Sequence, residues 1–523
     1  MENIVDLVIK LVLIAQIVYE SLVITYWVQQ KEYRWDRFRS FVKSREGLFT
    51  LNVHFIAAKV ASLFFLPFLI SLIIVGFILL VYLDKIRTKG LTRPIFTLRA
   101  REVYLTLVSL AFLASAVGSI IFAQLSLLIS PIIGVYWSGL LVRRTLRKEV
   151  LQAEAVFRNV KPKVVGVTGS YGKTTTKEFI ATLLSRKYVV AKTRGGENTL
   201  FAIVRTIIHN LPGSTQVFVV EMGAYKRGEI KHITDIVRPT IAVVTGIEPQ
   251  HLDLFGSIKN IQLTKYELIE SLGKGGVAVL NYGNSYCRQI GQWAKESGVK
   301  VLSYCLGPRQ RSLAVDLSAR VLEMSGKGVK VEFDYKNKKK TLEFKFAGAH
   351  FVENAMAAIL VAFVMGLDWK DVGKVSDELS TYEKTMKVYK TKSGATIIDD
   401  SHNSTPKAFE AALAYLDEFQ GRKTVFTPGI IELGSVSDKV HTRLGKLLAS
   451  KVDEVVLTRK GFESALKKGL GSSVKILKIS DGNPNYLSEL FKESATQKGI
   501  IILLEGKMPK AISYQLENLE TDV

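Results

Sequence analysis

The chain has 523 residues, 48% of them apolar, with a mean hydropathy of +0.19 and 71 Lys and Arg against 48 Asp and Glu. That is too hydrophobic for a disordered or fibrous protein, and the length allows several domains with cores of their own. Two cysteines, Cys287 and Cys305, exclude a disulfide framework or a cysteine-built metal centre, and the positive surplus is spread along the chain rather than gathered into a nucleic-acid stripe.

Residues 1–150 hold 18 Lys and Arg against 9 Asp and Glu, clustered between apolar runs from Ile4 to Val28, Leu51 to Leu83 and Val103 to Val142. Each run is long enough for one bilayer crossing or more, and basic clusters from Lys31 to Arg45, Lys85 to Arg101 and Arg143 to Lys148 flank them. The pattern predicts an α-helical membrane region with three to five transmembrane helices, its hairpins broken near Pro67 and before Pro131. Glu2 and Asp6 near the start speak against a cleavable signal peptide. No acid–base constellation sits inside the runs, so they read as an anchor or lipid-facing dock rather than a transporter core. The expected place is the cell membrane, multi-pass, with the catalytic domains cytoplasmic.

From Lys161 onward short β-branched runs alternate with amphipathic stretches, the pattern of an α/β fold with a mostly parallel sheet. Val164 to Val167 is a buried strand. It feeds into Thr168-Gly169-Ser170-Tyr171-Gly172-Lys173-Thr174-Thr175-Thr176-Lys177 and then a helix through Leu184. Glycines let backbone N–H groups converge on phosphate oxygens, Lys173 can neutralise β/γ charge, and Thr174 can ligate magnesium. Val167 stands where the longer phosphate-loop spacing needs glycine, so the match is to the shorter form. Glu221, just past the Val217 to Val220 strand, is placed as a magnesium ligand would be, or reads as an exposed loop acid. Lys265 alone reads as a surface lysine on a 261–272 helix; Asn281, Asn354 and Asp400 read as caps or turns.

Further motifs follow in order: Glu221-Met222-Gly223-Ala224, His251-Leu252-Asp253, Thr264-Lys265-Tyr266-Glu267, Leu280-Asn281, Gly348-Ala349-His350, Asn354-Ala355-Met356-Ala357-Ala358, Asp399-Asp400-Ser401-His402-Asn403-Ser404-Thr405-Pro406 and Glu432-Leu433-Gly434. Together with the phosphate loop they resemble the Mur ligases over residues 160 to 510, and their wording is most similar to the MurF branch, which adds D-alanyl-D-alanine. The resemblance implies a P-loop central domain at 151–375 and a C-terminal Rossmann-like α/β domain at 376–523, following the membrane region at 1–150. It implies an ATP-dependent ligase that activates a carboxylate as an acyl phosphate and then accepts an amine, with ATP and magnesium as cofactors. Thr168, Gly169, Ser170, Gly172, Lys173, Thr174 and Thr175 match the ATP loop, and Glu221 and His251 match metal sites. Lys265 matches a lysine carried as a carbamate. Asn281, Asn354 and Asp400 match the adenosine end, and His402 and Asn403 the loop that brings the last domain over the nucleotide.

The implied partners are a cell-wall precursor, UDP-linked or lipid-linked, and an amino acid or D-alanyl-D-alanine, with the membrane and no nucleic acid. A ligase acting on a lipid-linked or non-peptidoglycan acceptor is the alternative. A membrane nucleotide-binding regulator or transport ATPase is a third reading, opposed by Glu221, His251, Lys265 and Asp400 falling in ligase order.

Overall fold

The computed structural model describes residues 2–522 apart from 44–46, 49–50, 52–54, 59–67, 90–92, 118–119, 250, 308–313, 326–327, 347, 349, 380–384, 402–403, 432, 460, 472–475, 481–483 and 520. It divides into two compact units, Met1–Arg147 with Gly482–Pro484, and Lys148–Asp481 with Asn485–Val523.

The first unit is helical, with helices Glu2–Gln30, Trp35–Lys43, Phe68–Lys89, Leu98–Val117 and the first part of Ile120–Val160. Val23, Val28, Phe38, Phe41, Val103, Leu107 and Val135 share a core, where Trp27 stacks on Phe41 with ring centroids 4.5 Å apart. The expectation of three to five crossings is overturned: among the described residues no helix is long and apolar enough to cross a membrane. The membrane part of the expected fold class, and the multi-pass placement built on it, fall with that finding. Polar groups inside the apolar runs give the physical reason. Gln16, Glu20, Ser21 and Thr25 of the first helix are buried, and Glu20 accepts a hydrogen bond from the buried Tyr82 hydroxyl, so this helix turns polar groups toward its neighbours and is not apolar throughout. The hairpin expected near Pro67 lies outside the described residues, and the break expected before Pro131 falls where the Leu98–Val117 helix ends and the Ile120–Val160 helix begins, with 118–119 outside the described residues.

The second unit holds two sheets. Strands β1 (Lys163–Thr168), β2 (Val190–Lys192), β3 (Val217–Glu221), β4 (Ile241–Val244), β5 (Val277–Asn281), β6 (Lys300–Leu306), β7 (Leu317–Ser325), β8 (Gly328–Tyr335) and β9 (Lys338–Phe344) form the first, in the order β2-β3-β1-β4-β5-β6-β7-β8-β9. Pairing is parallel as far as β7 and antiparallel beyond it. Strands β10 (Lys387–Thr391), β11 (Thr396–Asp400), β12 (Arg422–Thr427), β13 (Glu454–Leu457), β14 (Ile476–Ile479), β15 (Ile500–Glu505) and β16 (Thr521–Asp522) form the second, in the order β14-β13-β12-β15-β11-β10-β16. Its first five neighbours run parallel, with β10 and β16 antiparallel at the edge.

Every residue of β3, β4, β5 and β15 is buried, which is why these strands read as continuous apolar runs: helices cover both faces of a parallel sheet. Side-chain caps start several of the helices. Thr199, Ser257, Asn284 and Thr405 each accept a backbone N–H three residues on, and Pro406 fits the first turn after Thr405 because it has no N–H to lose. In the first sheet the strand order reverses at β1, between β3 and β4, the place at the strands' C-terminal ends where sheets of this kind form a ligand crevice.

Candidate active site

The phosphate-loop sequence lies in that crevice. Thr168 ends β1 with its hydroxyl donating to Met222 O (2.8 Å) and its carbonyl accepting from Thr245 N (3.0 Å), which ties the loop's entry to β3 and β4. Gly169 has φ +152°, and a Cβ there would stand 2.1 Å from Thr245 Oγ1; Gly172 has φ +70°, and its Cβ would stand 2.4 Å from Asn354 Oδ1. Both positions therefore need glycine, for close approach as well as for the left-handed backbone. Ser170 N donates to Gly246 O (2.8 Å), and its hydroxyl is bonded to the backbone of Glu248. Thr174 is half-buried and Thr175 buried in the first turn of the Lys173–Leu184 helix, and Lys173 Nζ folds back to donate to Gly169 O at 2.9 Å.

One carboxylate is set among three lysines. Glu221, at the end of β3, is 1% exposed; its Oε1 accepts from Asn198 Nδ2 (2.9 Å), and its Oε2 lies 3.6 Å from Lys177 Nζ. Lys177 is fully buried and also donates to Gly195 O. Loss of hydration lowers the Lys173 ammonium, with Glu221 working against the shift. Lys265, on the Ile258–Glu270 helix, is 3% exposed and not the surface lysine that its local sequence indicates. Burial first, and then the charge of Lys173, bring it from the usual 10.5 down to about 7, although Glu229, Glu267 and Glu221 oppose the change. The structure thus groups Lys173, Glu221 and Lys265 electrostatically, and the loop-acid reading of Glu221 fails because the side chain is buried.

His251 caps the short Leu252–Phe255 helix at φ 51° and meets the Tyr225 ring edge-on at 4.7 Å. Asn281 makes the turn with Gly283 N (3.0 Å) and also donates to Thr245 O and Glu353 Oε2, both at 3.0 Å. Asn354 Oδ1 accepts from Thr176 Oγ1 at 3.1 Å. Asp400 ends β11 in the other sheet, accepting from Met386 N at 3.3 Å. Burial pushes its carboxyl up, and burial together with Asp400 pushes the neighbouring Glu505 up. His402, Asn403 and Glu432 lie outside the described residues. Lys177, Asn198, Glu353 and Lys407 belong to the site and carry no role in the sequence reading. Only Lys177 left a signal, as a lysine on the same helical stripe as Ile180, Ala181 and Leu184.

The same segments match two protein-family models, the Mur ligase middle domain over residues 167–362 and the Mur ligase glutamate ligase domain over 386–508. The chain is 30% identical over 319 residues to the UDP-N-acetylmuramoyl-tripeptide--D-alanyl-D-alanine ligase of Bacillus subtilis, a match spanning 60% of this chain and 67% of that one. The chain belongs to the Mur ligase family. Among solved structures it resembles MurF from Acinetobacter baumannii (TM-score 0.61, 26% identity, 71% of this chain and 79% of that one). It shares its fold with a Thermotoga maritima MurF ligase determined in complex with ADP (TM-score 0.60, 24% identity, 71% and 83%). Like its Mur ligase relatives it is an ATP-dependent ligase that works with magnesium. Residues 1–166 precede both family matches.

The residues present fit magnesium. Glu221 Oε2 is buried with no hydrogen-bond donor on it, so an oxygen lone pair is left for a cation, and the Thr174 hydroxyl stands in the first turn beyond the loop. Among the described residues no three His, Cys, Asp or Glu side chains form a metal cluster, so phosphate and water oxygens must complete the ion's shell.

Proposed function

We propose that this Mur ligase joins the amino group of D-alanyl-D-alanine to a carboxylate of a UDP-N-acetylmuramoyl tripeptide, the activity that its Bacillus subtilis relative's name describes. The observation that carries the reading is the grouping of Lys173, Glu221 and Lys265 beside the phosphate loop, where a triphosphate and a carboxylate can be held together. In this reading residues 151–375 hold the nucleotide and residues 376–523 form the domain that closes over it.

The backbone of Thr168, Gly169, Ser170 and Gly172, with Lys173 and the first-turn Thr174 and Thr175, grips the phosphates. Lys173 meets the negative charge that builds on the transferred phosphoryl group. Asn281, Asn354 and Asp400, with His402 and Asn403, form the adenosine end. Magnesium, when bound, neutralises phosphate oxygens; Thr174, Glu221, His251 and a carbamate on Lys265 are the groups that would hold it. Lys265 suits carbamate formation because an amine near 7 is substantially unprotonated at neutral pH: the nitrogen attacks carbon dioxide, a proton leaves, and a cation becomes an anion. The acceptor carboxylate attacks the γ-phosphorus and ADP leaves; the amine then attacks the acyl carbon and phosphate leaves. No group of the chain becomes covalently attached, so positioning and charge neutralisation do the catalysis.

Phosphate release is expected only when ATP, magnesium, D-alanyl-D-alanine and the UDP-linked tripeptide are all present, and Lys173→Ala should lower it steeply. Release without the amine, or release with a lipid-linked sugar peptide in place of the UDP-linked one and not with the latter, would overturn the substrate assignment.

A further inference from the structure

Lys407 follows Thr405 and Pro406 at the start of the Pro406–Leu416 helix, on the chain segment that carries the second sheet. Its ammonium nevertheless reaches the first sheet's nucleotide crevice. Nζ donates to Glu353 Oε2 at 3.0 Å and Oε1 at 3.2 Å, donates to the Tyr171 hydroxyl at 3.1 Å, and lies 4.8 Å from the centroid of the Tyr171 ring. The Lys407 backbone N adds a long contact to Glu248 Oε2 at 3.4 Å.

Each partner is anchored to the loop in its own way. Tyr171 is a loop residue; its carbonyl accepts from the Thr245 hydroxyl, and its ring covers Gly246 so closely that a Cβ there would stand 2.2 Å from it. Glu353 is held by Asn281 Nδ2 at 3.0 Å and precedes Asn354, which fills the space beside Gly172. The Glu248 backbone N donates to Ser170 Oγ at 3.0 Å. An isolated exposed ion pair contributes little, but here the Glu353 side chain is only 14% exposed and one ammonium serves two partners at once.

We propose that Lys407 is a positioning residue that couples the seating of the second-sheet domain to the shape of the phosphate loop. Nucleotide binding and the docking of that domain then reinforce each other, because coupling between two binding events is reciprocal. The proposal rests on the nucleotide reading of the loop and does not depend on which acceptor or amine is used.

The test is calorimetric titration of the full chain with ADP and magnesium, without acceptor or amine. Lys407→Met is expected to weaken ADP binding by about tenfold, a usual size for coupling between sites, and to speed hydrogen exchange across residues 169–173. Lys407→Arg, which keeps the charge, should recover most of the affinity. The exchange pair Lys407→Glu with Glu353→Lys should bind ADP more tightly than Lys407→Glu alone. Unchanged ADP affinity and exchange in Lys407→Met, or an exchange pair no better than the single variant, overturns the coupling. If Lys407→Met does not fold, Glu353→Gln removes the same ion pair from the other side and carries the same expectation. Folded wild-type protein that fails to bind ADP overturns the nucleotide reading itself, and this inference with it.

Discussion

The two sheets of the second unit end in different sets of buried charges. Around the C-terminal ends of β1 and β3, Lys173, Lys177 and Lys265 gather about Glu221, with Glu178 beside Lys177 and Glu229 and Glu267 acting on Lys265. At the matching ends of β11 and β15, Asp400 pairs in register with Glu505, and Asp399 is buried beside them. Burial disfavours charge at both places, lowering lysines at one and raising carboxyls at the other. The outcomes differ in kind. The end with three lysines can be completed by a polyanion such as a nucleotide, whereas at the acidic end burial favours the protonated form. Equivalent topological positions thus serve to receive charge in one sheet and to suppress it in the other.

Removing the cation that faces the phosphates should break the comparison most severely: Lys173→Ala is expected to lower ATP-dependent phosphate release by roughly 10²–10³-fold or more. Glu221→Gln leaves the lysines without their counter-charge. Turnover should fall on the order of 10²-fold, and the magnesium activation curve should move to higher concentration. Lys265→Met should lower turnover about 10- to 100-fold and abolish any carbamate signal after incubation with labelled bicarbonate.

Lys265→Met also has a stability signature. Because Lys265 sits at about 7 when folded against 10.5 ordinarily, the unfolded chain binds the extra proton between those values, and wild-type stability rises with pH across that window. The variant should flatten this slope in urea midpoints. At the acidic end the sign is reversed. Raised carboxyls mean that the folded state holds more protons, so stability falls as pH rises from the ordinary carboxylate range through their folded values. Glu505→Gln should lessen that fall, read as a flatter dependence of urea midpoints on pH. The smallest change is expected from Thr405→Ala, which leaves both clusters intact and costs about 1 kcal/mol through the lost helix cap, read as a lower melting temperature.

What the residues disclosed depended on how local the information was. Val164 to Val167, the loop from Thr168 to Lys177, and the buried runs of β3 to β5 declare themselves by spacing within a dozen residues, and the α/β organisation followed from them. The lysine environments did not, because Lys265 is indistinguishable from a surface lysine until Lys173 and Glu221 are packed near it. Glu353 and Lys407 meet from positions 54 residues apart, with nothing in either neighbourhood to mark them. The apolar runs of residues 1–150 misled in the opposite way. Their length reads as bilayer thickness, and Gln16, Glu20, Ser21 and Thr25, which the structure buries, pass unnoticed inside the first run.

Asn354 also sets an order in time. Its Oδ1 supports the Lys173–Leu184 helix through Thr176, across 178 residues of chain, and occupies the space beside Gly172. At ordinary ribosomal speeds the loop emerges on the order of ten to forty seconds before that support exists. A nascent or prematurely ended chain therefore carries the whole loop sequence without the scaffold that shapes it. ATP would by mass action stabilise those molecules in which the His350–Val364 helix has already docked, so nucleotide occupancy reports on that docking.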